Sequence, residues 1–247
     1  MVLDGVMTTE RELAMSLLPG AASRVVRAVD RLQDDEWSAP SLLPGWSRAH
    51  VVAHLALNAE ALARCLRGVV SDEADHQPRT MYDSDEQRDH DIANLAGASA
   101  GDLRDRLLAG TTIFEEAVDA IPEVRWEERI ERTPGGRTMR LGSLPGMRVR
   151  ELEIHEVDLD AGYTASDWSQ AFTELLLDAM SKRVSSSAFE LRPLDSTRTW
   201  VFGSADAEYP VPVVTGPAAD AGWWLTGRPP PDTLHCSHGE LPTIEGW

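Results

Sequence analysis

Apolar residues return every three or four positions through the first two thirds of this chain, the spacing of one buried face of a helix. The first such stretch runs from Thr9 to Leu32, with Leu13, Leu17, Val25, Val29 and Leu32 as its stripe. Pro19-Gly20 predicts a kink or a split within it, because proline lacks a backbone donor and crowds the preceding turn. A turn-rich segment, Ser38 to Trp46, closes with Leu43-Pro44-Gly45-Trp46. Ser47 is then placed to cap a second helix, Arg48 to about Gly68, its hydroxyl accepting a backbone N–H. Ser71 to Arg79 is polar and acidic and reads as loop. Two further helical patterns cover Asp83 to Leu95 and Asp102 to Ile121, the second stopped by Pro122. Residues 125–142 place Trp126, Ile130 and Met139 among charged residues around Pro134-Gly135-Gly136, an extended arm or loose hairpin. Another helix begins near Leu144-Pro145 and reaches about Ala161, with Gly162 suited to its end.

The pattern then changes. A helix from Asp167 to Val184 precedes short β-like runs, Thr197 to Phe202 and Tyr209 to Thr215, a helix from Pro217 to Thr226, and a terminal strand-like piece. The expectation is a mainly α protein: a helical bundle over residues 1–165 and a small α+β domain over residues 166–247. The chain is long enough for both to own a core.

Charge narrows the partners. Twenty-three basic residues against 41 acidic give −18 at pH 7, which argues against nucleic acid or an anionic membrane surface and suits a well-solvated exterior. No apolar run approaches a membrane span, and the first ten residues carry acids where a signal peptide carries bases, so the expected location is cytoplasmic. Cys65 and Cys236 are too few and too far apart for a disulfide framework and read as free thiols. Nothing in the sequence speaks to oligomeric state.

The seven histidines hold the chemical interest. His54 lies one turn beyond His50 and shares an inward stripe with Val51, Leu55, Asn58 and Leu62. Glu151 and His155 stand at i and i+4, which puts both on one face of their helix. Met147 and Ile154 border that face, whereas Glu153, Glu156 and Asp160 are expected to point to water. Imidazole and carboxylate are good ligands for zinc-like divalent metals, and helix bundles build such sites from inward residues of facing helices. Asp158, three residues beyond His155, is placed to orient that imidazole. By itself a Glu-x-x-x-His pair is more often a surface helix contact, and a lone inward histidine more often a core residue.

Two motifs go further. Leu43-Pro44-Gly45-Trp46-Ser47-Arg48-Ala49-His50-Val51-Val52-Ala53-His54-Leu55-Ala56 and Arg148-Val149-Arg150-Glu151-Leu152-Glu153-Ile154-His155-Glu156-Val157-Asp158-Leu159 resemble the signatures of the mycothiol-dependent maleylpyruvate isomerases and their relatives. The segment from Gly216-Pro217-Ala218-Ala219 to Trp224-Leu225-Thr226-Gly227-Arg228 resembles the family's second domain. The resemblance implies a DinB-like four-helix bundle followed by a small α+β domain, a divalent metal, zinc above others, held by His54, Glu151 and His155, and a functional arginine at Arg228. It also implies mycothiol as thiol cofactor and a small-molecule substrate. Coordinated thiol would lose its proton and add to the cis double bond of maleylpyruvate; rotation and elimination would give the trans isomer, fumarylpyruvate. Arg228 would grip a carboxylate, its plain alternative being a charge at the end of the preceding helix. Thiol S-transfer to an electrophile is an alternative on the same scaffold, and a non-enzymatic ligand-binding module a further one.

Other features read as structure. His235-Cys236-Ser237-His238 looks like a ligand cluster but has no partners at finger-like spacing and departs from the family pattern, so it is read as strand. Cys65 is read as core, Trp46 and Trp126 as packing anchors, and Tyr82 as near enough to enter the pocket but without an assigned role.

Overall fold

The computed structural model describes residues 3–70, 79–183, 187–203 and 211–244, which hold seven α-helices and six short strands. Most of the loop expected at Ser71 to Arg79, and the start of the run expected at Tyr209, lie outside the described residues. The chain divides into two compact units, residues 1–163 and 164–247.

In the first unit α1 (Leu3–Asp30), α2 (Arg48–Val70), α4 (Ala100–Asp119) and α5 (Leu144–Asp158) form a four-helix bundle. Each helix touches two others: α1 packs on α5 and α4, and α2 packs on α4 and α5. The shorter α3 (Asp85–Ala96) leans on α2. The architecture is the DinB-like one. Helix α2 is buried on nearly every face, from Ala49 to Val69, with His54 and Asn58 among its few buried polar groups. Six of its residues from 49 to 63 are buried alanines, and small side chains are what let three neighbouring helices approach at once. Gly110 of α4 serves the same approach, since a Cβ there would lie 3.1 Å from the Ala56 carbonyl oxygen.

Two sequence expectations give way here. Of the kink or split expected at Pro19-Gly20, the split is absent, because α1 continues through them and is held by its packing on α5 and α4. The Ser47 hydroxyl, expected to accept a backbone N–H, instead meets His50 Nδ1 at 2.7 Å. The caps of the next helices are ordinary: Ser84 Oγ accepts from Gln87 N and Ser99 Oγ accepts from Asp102 N. The expected arm is a hairpin, β1 (Arg129–Glu131) antiparallel to β2 (Thr138–Arg140), pairing Ile130 with Met139.

The second unit has α6 (Gln170–Ser181) and α7 (Ala218–Leu225) beside a four-stranded sheet ordered β4-β3-β5-β6. Strands β3 (Phe189–Pro193) and β5 (Val213–Gly216) run parallel; β4 (Trp200–Phe202) and β6 (His235–Cys236) flank them antiparallel. Phe189 and Leu191 of β3 are fully buried while Arg192 between Leu191 and Pro193 is exposed, the alternation of a half-covered sheet. Phe189 stacks on Phe202 at 4.5 Å between ring centroids and packs against Trp224 of α7.

Candidate metal centre

The turn before α2 sets the geometry. Pro44 and Gly45 occupy the two central positions of a tight turn closed by Trp46 N donating to Leu43 O at 3.1 Å, and Gly45 takes the positive φ of 79° that favours glycine there. The turn is tied to the end of α5. Leu42 N donates to Asp158 O at 2.9 Å, and the Arg48 guanidinium donates to Leu159 O and Asp160 O at 2.7 and 2.6 Å. A cation on the last carbonyls of a helix satisfies orphan acceptors and complements the helix dipole. The start of α2 is thereby docked on the C-terminus of α5, and the two helices bring their polar residues face to face.

His54 Nε2 lies 2.7 Å from Glu151 Oε2, and His155 Nε2 lies 3.2 Å from the same oxygen. One ligand atom from each of the three residues falls within 4.8 Å of the others. The imidazoles meet edge to face, 4.7 Å between centroids, and Trp46 packs edge-on against His54. Both histidines are buried, whereas the Glu151 side chain keeps 16% exposure, so the cluster is reached from solvent on the carboxylate side. Asp158, with no exposure, stands 2.8 Å from His155 Nδ1 and fixes the ring so that Nε2 faces Glu151.

Burial drives the His54 imidazole down to about 4 against the pull of Glu151, which leaves it neutral with a lone pair to give. For His155, burial opposes the charge, but hydrogen bonds to Asp158 and Glu151 outweigh it and hold the pKa above the ordinary value. Burial also opposes ionisation of Glu151, yet His54 and His155 keep it well below the usual carboxylate range. Two imidazoles, one anionic carboxylate and an orienting aspartate are a donor set that fits a divalent ion of the zinc type.

Other residues close in around the triplet. Arg148, one turn before Glu151, is buried and donates to Leu55 O and Asn58 Oδ1 at 2.8 and 3.0 Å; burial pushes its pKa down to about 10. Arg88 of α3 places Nη2 at 3.2 Å from His54 Nδ1 and its guanidinium carbon 5.7 Å over the Tyr82 ring. Burial pushes the Tyr82 hydroxyl's pKa up, with Glu151 adding to the rise and Arg88 opposing it. Sequence reasoning gave Arg88 no part and Tyr82 no role. Glu153 and Glu156, expected to face water, are buried on the α1 side of α5: Glu153 pairs with Arg24 and accepts from the Tyr163 hydroxyl at 2.8 Å. They fasten α1 to α5, while Asp160 is exposed as expected.

The model of the mycothiol maleylpyruvate isomerase N-terminal domain matches residues 18–160, more than half of the chain. The chain belongs to the mycothiol maleylpyruvate isomerase family. Among solved structures, the crystal structure of a mycothiol-dependent maleylpyruvate isomerase is 26% identical, superposes with a TM-score of 0.83, and is matched over 96% of this chain and 97% of that one. A mutant of that enzyme matches over the same spans with a TM-score of 0.82. No curated protein sequence matches.

Within the second unit of this family member, Arg228 is buried just beyond α7, donates to Thr226 O at 2.8 Å, and lies 5.5 Å over the Trp223 ring. Its contact with a helix-end carbonyl is the structural alternative anticipated for it. His235 and Cys236 form β6, and among the described residues the His54, Glu151 and His155 group is the one cluster of three or more such ligands close enough to share an ion. Cys65 is buried in α2 and burial raises its thiol to about 11; Trp126 is buried under Arg11. No helix among the described residues is long and apolar enough to cross a membrane.

Proposed function

We propose that this chain is a metal- and mycothiol-dependent cis–trans isomerase of a maleylpyruvate-type substrate, with His54, Glu151 and His155 holding the ion. The observation that carries the reading is the convergence of both histidine Nε2 atoms on one Glu151 oxygen, from two helices locked together by Arg48 and the Leu42–Asp158 bond. The family and the matched crystal structures support the reaction class. Zinc is the ion the donor set suits best.

When bound, the ion supplies a Lewis-acid centre at which a thiol is deprotonated at neutral pH and made nucleophilic toward the substrate double bond. The chain supplies the rest. His54 is held neutral by burial, so one of its ring nitrogens has a lone pair free for an ion. Asp158 keeps the His155 ring from turning. Glu151 brings the negative charge that a cation needs in a partly dry site, and its exposed side leaves a path for substrate. Arg228 is assigned to a substrate carboxylate on the family resemblance, its guanidinium being a bidentate partner for such a group. The cytoplasm suits a thiol-using protein whose Cys65 and Cys236 are unpaired.

The test is direct. Purified protein loaded with zinc is mixed with maleylpyruvate, with and without mycothiol. Fumarylpyruvate formed only when the thiol is present, and lost in His54→Ala, is the expected result. Equal activity without thiol or after chelation overturns the reading. Accumulation of a stable thioether in place of the trans isomer would make the protein a transferase.

A further inference from the structure

Arg88 touches a proposed metal ligand, yet the triplet does not need it. Its guanidinium comes from the first turns of α3, where Ser84 fixes the helix start. A guanidinium only donates, so the 3.2 Å contact makes His54 Nδ1 an acceptor and leaves the ring hydrogen on Nε2, facing Glu151. Ligation through Nε2 demands the opposite tautomer, with the hydrogen on Nδ1 pointing at Arg88. Two donors cannot share that hydrogen bond. The Arg88–His54 contact and metal ligation through His54 Nε2 are therefore mutually exclusive.

Three observations say where the guanidinium is directed once it leaves His54. Arg88 Nε is buried with no hydrogen-bond partner. The side chain as a whole keeps 20% exposure, so it can reach a group arriving from solvent. Its one carboxylate partner, Asp89, is 68% exposed and binds the other edge of the fork at 2.7 Å, a surface pair of little strength. Charge points the same way. Glu151 and the buried Asp158 bring two negative charges to the triplet while Arg148 and Arg88 bring two positive ones, so a divalent ion there leaves the site net positive and suited to an anion. Tyr82 holds the guanidinium there: its backbone is pinned by Tyr82 N donating to Arg132 O at 2.9 Å, and its ring lies beneath Arg88.

We propose that Arg88, steadied by Tyr82, binds a carboxylate of the substrate beside the metal centre. This rests on the metal reading above and deepens it. The probe is maleate, a dianion with the cis geometry but no keto-acid arm, titrated by calorimetry into zinc-loaded protein without any thiol. Arg88→Gln should weaken maleate binding about 10- to 100-fold, the worth of a charge-assisted pair, with zinc content unchanged. Arg88→Lys keeps the charge but not the fork and should lose about tenfold. Tyr82→Phe should cost less than either.

Maleate affinity unchanged in Arg88→Gln and Arg88→Lys at full zinc content overturns the proposal. If Arg88→Gln loses its zinc, Arg88→Lys decides: full zinc with weakened maleate upholds the assignment, whereas loss of zinc there too makes Arg88 a support for His54 and overturns it. Wild-type protein that takes up zinc but binds no maleate overturns this proposal alone, whereas protein that takes up no zinc overturns it together with the metal reading. Arg88-dependent maleate binding in a protein that does not isomerise maleylpyruvate leaves Arg88 standing and removes only the activity.

Discussion

Asp158 carries a carboxylate into a place with no exposure, which is costly unless its partner is worth the burial, and that partner is His155 Nδ1. Residues that orient a metal-binding histidine typically contribute 10- to 100-fold in metal affinity. Asp158→Asn still accepts a hydrogen bond but drops the charge, so zinc affinity should fall about tenfold, read by competition with a chromogenic chelator. An unchanged affinity would mean that the Asp158 charge serves the fold and not the ion. The two cysteines make a separate case. Burial raises Cys65 to about 11, and a group that is neutral when folded but ionises when unfolded costs stability as pH climbs from 9 toward 11. At pH 8 its thiolate is about one part in a thousand, and the sulfur is covered as well. A disulfide reagent at pH 8 should thus label one thiol of the native protein, the half-exposed Cys236, and two after denaturation. The i, i+4 spacing of Glu151 and His155 was legible because one helix fixes it, as was Asp158 at i+3. Arg88 was not, because it reaches His54 from another element across 34 residues and no local rhythm records such a contact, while Tyr82 was placed near the pocket without a role. The inward Glu153 and Glu156 were missed because their partners, Arg24 and Tyr163, come from outside the helix that carries them.

At the scale of elements, α2 carries the bundle. Its stripe is legible in sequence, since alanines and branched residues fill nearly every position. Proline offered two readings, a kink or a split, and the split is absent. The local rule says that Pro19 interrupts a helix, but α1 gains more from burying Ala14, Leu18, Ala21, Ala22 and Val25 as one continuous face than it loses in one hydrogen bond. Strand β3 was absent from the sequence reading because five residues with two charges give too short an alternation; its place is set by pairing with β4 and β5. The contact between α2 and α4 makes a testable claim. A side chain at Gly110 must displace the Ala56 carbonyl oxygen at 3.1 Å and Ala59 Cβ at 3.3 Å, both on the most buried helix of the unit. Neither neighbour is the loose end of a flexible chain. Gly110→Val should therefore destabilise by about 1–3 kcal/mol through overpacking, measured by urea denaturation; a gain in stability would mean that α4 can slide away from α2.

At the scale of the whole molecule, the proposed ion would join two helices that neighbour each other in space but lie almost a hundred residues apart in sequence, His54 on α2 and the other two ligands on α5. Such a link exists only in the folded state, so binding free energy becomes folding free energy. At a free zinc concentration of a hundred times Kd the gain is about 2.7 kcal/mol. For a unit of this size that amounts to roughly 5–11 °C in Tm. Because the chain has two compact units, the shift belongs to the unfolding of residues 1–163 and should be followed by a probe in that unit, such as the fluorescence of Trp46 beside His54. Chelation should bring Tm back down, and Glu151→Gln should abolish the response to zinc, because it removes the one oxygen on which both imidazoles converge. A shift of full size in Glu151→Gln would place the ion elsewhere in that unit. No shift in the wild type would leave the α2–α5 cluster as a proton-bridged structural network, and the isomerase reading would lose the centre on which its chemistry depends.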